Sequence, residues 1–100
     1  MTSFTPNKAI SAAAITVAST ATALWTTPQA GRKSLVVFNG DSATIYLGGS
    51  GVTSGTGAAT AGFDVPAGTS FALDLGPGVT LYAISAAGTA SNAVKVFQVS

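Results

Sequence analysis

The side chains that carry most enzyme chemistry are nearly missing from this chain, which has no histidine, cysteine or glutamate and whose acids are Asp41, Asp64 and Asp74. General acid and base catalysis draws on groups tuned apart by their surroundings, and these three fall in separate local settings. Asp41 follows Asn39-Gly40, where an aspartate bonds nearby backbone in a turn. Asp64 and Asp74 sit beside apolar residues in strand-like segments, which suits solvent-facing positions of an alternating strand. Their spacing does not make a calcium loop. A serine or threonine nucleophile needs a base; Ser34 beside Lys33 offers one on paper, but neighbours on a strand point to opposite faces. The glycine-rich stretch from Gly48 to Gly62 lacks the Gly-Lys-Ser/Thr ending of a phosphate-binding loop. No enzyme activity, cofactor or metal is expected.

Binding chemistry is also sparse. Arg32-Lys33 is the one adjacent cationic pair, read either as a solvated strand entrance that blunts a sheet edge or as a contact to an acidic partner patch. With Lys8 and Lys95 it brings the net charge to +1, too little for the counterion release that drives nucleic-acid binding. Trp25, Tyr46 and Tyr82 combine broad rings with polar tips and offer a carbohydrate or partner platform, although core packing is the commoner fate of so few aromatics.

The surface that remains is of an uncommon kind. Hydrophobic residues make up 47 % of the chain and charged residues 7 %, against about 25 % charged in ordinary soluble domains. Thr, Ser, Gly and Ala must cover the exterior, and such side chains lose little entropy and shed little water when a partner packs on them. No stretch approaches the roughly 20 apolar residues of a membrane helix, so no membrane partner is expected. Lys8 to Ala21 has the charge and alanine run of a secretory leader, but Ser11, Thr16, Ser19 and Thr20 interrupt it, and folded structure is the expectation.

The elements that position these residues follow from periodicity. Ser34 to Phe38 is apolar on both faces, as in a central strand covered on two sides. Asn39-Gly40-Asp41-Ser42 supplies turn chemistry, with Ala43 to Leu47 returning as hairpin partner. Gly48 to Gly62 reads as a long loop too polar to bury much. Phe63 to Val65, Thr69 to Leu75, Val79 to Ile84 and Ala93 to Val99 read as strands, with Phe71, Leu73 and Leu75 on one face of the second. The first 30 residues fit both helical and strand spacing. Pro6 to Ala13 is taken as a short helix or arm, followed by strands near Ala14 to Ala18 and Ala21 to Thr26. The expected fold is all-β, a small antiparallel sandwich or barrel of about 7–8 strands in one domain over residues 14–100, with residues 1–13 as N-terminal arm or short helix.

Gly31-Arg32-Lys33-Ser34-Leu35-Val36-Val37-Phe38-Asn39, Thr44-Ile45-Tyr46-Leu47-Gly48, Val65-Pro66-Ala67-Gly68-Thr69 and Leu81-Tyr82-Ala83-Ile84-Ser85 together resemble small virion proteins of tailed bacteriophages, of the head decoration or cement type. The resemblance spans residues 31 to 100 and rests on hairpin and turn patterns shared with tail and fibre modules. It implies a β-domain on the outer capsid surface that bridges major capsid subunits, often as a homotrimer. An N-terminal segment carrying Phe4, Pro6, Lys8 and Ile10 would order on that partner, with Arg32 and Lys33 as further contacts. A tail tip, fibre or baseplate module and a carbohydrate-binding β-module are the alternatives.

Overall fold

The apolar residues along the chain recur mostly at every second position, and a sheet buries such a pattern against another sheet. A computed structural model shows this arrangement and describes residues 10–25, 34–55, 60–76 and 78–99. Its strands are β1 (Ile10–Ile15), β2 (Thr22–Ala23), β3 (Ser34–Asn39), β4 (Ile45–Gly48), β5 (Phe63–Val65), β6 (Ser70–Asp74), β7 (Tyr82–Ser85) and β8 (Val94–Val99). They form two four-stranded antiparallel sheets in the orders β1-β8-β3-β6 and β2-β7-β4-β5. That pair of orders is the jelly roll, in which most links carry the chain from one sheet to the other.

The core lies between the sheets. Leu35 and Val37 of β3, Val94 and Val96 of β8, Ile45 and Leu47 of β4, Val65 of β5 and Ala83 of β7 are buried there together with Val17 and Leu24. Phe71 and Leu73 of β6 pack against the same cluster, while Ser70, Ala72 and Asp74 are exposed, so the alternation read in this segment holds. Phe63 and Phe71, on edge strands of opposite sheets, bring their rings to 4.6 Å and close that side of the sandwich.

Three expectations are corrected. Ile10–Ile15 is a strand paired along β8, so the arm or short helix over residues 1–13 does not extend past residue 9, and residues 1–9 lie outside the described residues. Pairing and burial of alternate side chains outweigh the helical preference of an alanine run. Asn39 to Thr44 does not close a hairpin, because β3 and β4 belong to different sheets. Turn residues reverse or bend the chain without stating which sheet it enters. β3 is central, but the two-sided covering holds only at its start: on the outer face Ser34 is buried, Val36 is half-buried and Phe38 is exposed. The glycine-rich stretch is a loop as expected, and among its described residues Val52 is buried where Gly48 and Gly62 leave room: a Cβ at Gly62 would lie 2.6 Å from Val52 Cγ2 and 2.5 Å from the Leu47 carbonyl oxygen. Thr53 and Ala61 bridge at the loop neck, where the Thr53 and Thr60 hydroxyls meet at 2.9 Å.

The crossing from β3 to β4 is held by a fully buried amide. Asn39 donates through Nδ2 to the carbonyls of Ala43 (2.8 Å) and Val65 (2.9 Å), and its Oδ1 accepts from the Asp41 N–H (3.0 Å). Its backbone N–H donates to Thr69, and its carbonyl accepts from Gly68, whose φ of +73° suits glycine. Asn39→Ala leaves two carbonyls and an N–H without these partners and is expected to cost about 2–4 kcal/mol, read as a lower urea midpoint with unchanged slope.

Candidate interaction surfaces

The register gives the sandwich two unlike ends. At one end the β1–β2, β3–β4, β5–β6 and β7–β8 corners meet and are tied together. Asp41 accepts from the Ala43 N–H (3.2 Å) and the Ala90 N–H (3.0 Å), joining the β3–β4 corner to the β7–β8 corner. Thr16 Oγ1 accepts from the Asn92 N–H (2.9 Å), and Val17 and Thr89 exchange bonds of 2.9 Å and 2.8 Å, joining the β1–β2 corner to the same loop. Thr22 Oγ1 accepts from the Ala18 N–H, and Thr69 Oγ1 donates to the Pro66 carbonyl.

The opposite end gathers the remaining links. Ile10 and Ser34, the first residues of β1 and β3, both stand opposite Val99 on the intervening β8. The chain therefore enters β1 from residue 9 and β3 from residue 33 at one end of one sheet, 24 positions apart in sequence and two strands apart in space. Phe4, Pro6, Lys8, Arg32 and Lys33 lie outside the described residues, and Ile10 is described through its backbone pairing. What the structure brings together is the pair of strand starts into which these residues lead.

The second surface is the outer face of the β1-β8-β3-β6 sheet. Alternation turns Leu35, Val37, Val94 and Val96 inward, which leaves Ala12, Ala14, Val36, Phe38, Ala72 and Phe97 outward. Phe38 is 41 % and Phe97 46 % exposed. With Val36 and the Lys95 side chain they line a shallow depression of about 250 Å³. Contiguous exposed apolar surface of this kind marks an interaction site, and covering each half-exposed ring would gain about 1 kcal/mol. This face was not singled out from the sequence, because Val36 and Phe38 read there as buried on a two-sided central strand.

The residues weighed for chemistry are spread apart. Asp74 stands on the outer face of the first sheet, Asp64 on that of the second, and Asp41 in the corner network. Among the described residues no group of acids is placed to hold a metal ion. The Ser34 hydroxyl is buried without a hydrogen-bond partner, as is that of Ser85. Trp25 is half-buried and packs against the core. Tyr46 and Tyr82 are half-buried on the outer face of the second sheet, where Tyr46 pairs with Ile84 and Tyr82 with Gly48, so the three rings do not make one platform. No helix among the described residues is long and apolar enough to cross a membrane. Comparison with family models, curated proteins and solved structures finds no match to this chain.

The two faces of β8 predict opposite mutational costs. Phe97→Ser is expected to stay within about 0.5–1 kcal/mol of the parent, whereas Val96→Ala, one residue away and facing the core, should cost about 2 kcal/mol. Urea unfolding measures both. On a hydrophobic-interaction column the folded Phe97→Ser protein should elute earlier.

Proposed function

We propose that this chain is a structural protein of a tailed-bacteriophage virion, a head decoration protein that binds the outside of the assembled head and bridges major capsid subunits. The supporting observation is the convergence of the starts of β1 and β3 on Val99. Sequence reasoning chose Phe4, Pro6, Lys8, Ile10, Arg32 and Lys33 as partner contacts from two distant segments, and both segments enter the fold at the same end of one sheet. A partner seated there would meet residues of the N-terminal segment and the cationic pair at once. The opposite end, tied corner to corner, would keep the domain rigid as the partner docks.

Binding that requires the assembled lattice stabilises it by mass action, as any ligand selective for one state does. A nearly uncharged exterior keeps the loss of bound water small on contact. The proposed site of action is the outer capsid surface, with the protein acting as a homo-oligomer and the trimer implied by the resemblance.

Incubation with empty heads of the encoding phage, followed by cryo-EM, tests the reading: added density is expected on the outer head surface. Density along the tail alone would instead make the chain a tail tip, fibre or baseplate part. Deleting residues 1–9 preserves all of β1, so the truncated protein should keep its melting temperature within a few degrees and lose head binding. If it decorates heads as well as the full chain does, the N-terminal segment is not the anchor.

A further inference from the structure

Two exposed apolar features of the sandwich differ in shape, one a hollow and the other a knob. On the outer face of the first sheet Ser34 and Val99 are buried, and the open part is the depression lined by Val36, Phe38, Lys95 and Phe97. Its neighbours on β1 are Ala12 and Ala14, exposed, level with Phe97 and Lys95, and too short to screen it. The knob is Phe63 of β5, 59 % exposed and the barest of the large apolar side chains among the described residues. It stands on the side of the sandwich between the edge strands β5 and β6, braced by the Phe71 ring at 4.6 Å. Charge separates the two features as well. Lys95, at the hollow, is the one cation among the described residues, whereas the side with the knob carries Asp64 on β5 and Asp74 on β6, both exposed.

We propose that the hollow of one copy receives Phe63 of the next, with Asp64 of that copy reaching Lys95, and that three copies close a ring in this way. The number three rests on the homotrimeric reading of the function, and the contact itself on the two features. A hollow in one place and a knob in another make a heterologous contact, which forms a ring where the rotation from copy to copy closes and a filament where it does not. Here the hollow lies on a face and the knob on a side at right angles to it, so each added copy turns against the last. Features on opposite sides would instead stack the copies in a line.

The seat suits the knob. The depression of about 250 Å³ has room for a phenyl ring beside Phe38 and Phe97, where aromatic rings meet edge to face or in offset stacks. Docking would cover Phe38, Phe63 and Phe97 together, which are the exposed aromatic side chains among the described residues. The acid beside the knob meets the cation beside the hollow, and such pairing sets register and excludes wrong partners more than it adds affinity. A single contact of this kind is small. Ring closure holds every copy at two places at once, which raises the effective concentration for the last contact. The contact uses neither residues 1–9 nor Arg32-Lys33.

Sedimentation equilibrium of the full chain over a wide concentration series, without phage heads, tests it, and a monomer–trimer equilibrium is expected. Phe63→Ser removes the knob and Phe97→Glu spoils the hollow, and each variant alone should be monomeric with an unchanged circular-dichroism spectrum. Mixed in equal amounts they should form a heterodimer and nothing larger, because one intact hollow and one intact knob remain between them. Lys95→Asp and Asp64→Lys leave the rings in place and should each weaken the trimer at least about tenfold, and the double variant should return to within about threefold of the parent. A trimer that survives these substitutions, or a mixture that stays monomeric, overturns the contact and leaves the homotrimer standing. A parent that is monomeric throughout, or that settles at any other size, overturns the contact and the homotrimer together. Binding to heads is read separately and decides the decoration function alone.

Discussion

A chain that changes sheets at most of its links must repeatedly leave one hydrogen-bond ladder before it joins the next, and at each corner backbone groups need other partners. Asn39 meets this need at the crossing from β3 to β4. Fully buried, it bonds through its side chain to Asp41, Ala43 and Val65 and through its backbone to Gly68 and Thr69. One residue thus joins the end of β3, the start of β5's exit turn and the entrance to β6. Asp41 continues the network to Ala90, and Thr16 and Thr89 link the β1–β2 corner to the same region. Each bond contributes a net of about 0.5–1.5 kcal/mol, but leaving its buried partner unmade costs more. The corners therefore act as one unit.

This gives the abundance of threonine and serine a second meaning. As surface composition they suit a low-charge exterior that packs easily on a partner. In the fold, Thr16, Thr22, Thr69 and Thr89 also take up backbone groups released where the chain turns. Such short-range bonding is what makes these residues favour turns over regular ladders. The tied corners thus draw on the same residue types as the low-charge exterior, and placement separates their roles.

Much of the fold was legible in local pattern. The Phe63 to Val65, Thr69 to Leu75 and Ala93 to Val99 segments were readable because short strands between turn residues carry their own period. The alternation of β6 survives in detail, with Phe71 and Leu73 inward. The N-terminal alanines misled, since their spacing fits a helix as well as a strand and the deciding partner, β8, lies some 80 positions away. Of the interaction surfaces, the cationic pair and N-terminal segment were visible as residue types, while their convergence was not. The exposed rings of Phe38 and Phe97 were hidden within strands that look uniformly apolar.

By itself the sequence determined that the chain is all-β, that its strands are short and punctuated by glycine, asparagine and proline, and that three scattered aspartates are its acids. These are local properties, set by backbone preference and side-chain chemistry within a few residues. Tertiary structure decided that Asn39 to Thr44 crosses between sheets, that β1 and β3 begin together across Val99, and that the outer face of β3 and β8 is covered at Ser34 and Val99 but leaves Phe38 and Phe97 exposed. Those outcomes depend on which distant strand lies alongside and on how side chains from distant parts of the chain share one interior. A two-residue period says that a strand has two faces. Only the partner sheet says which of them is buried.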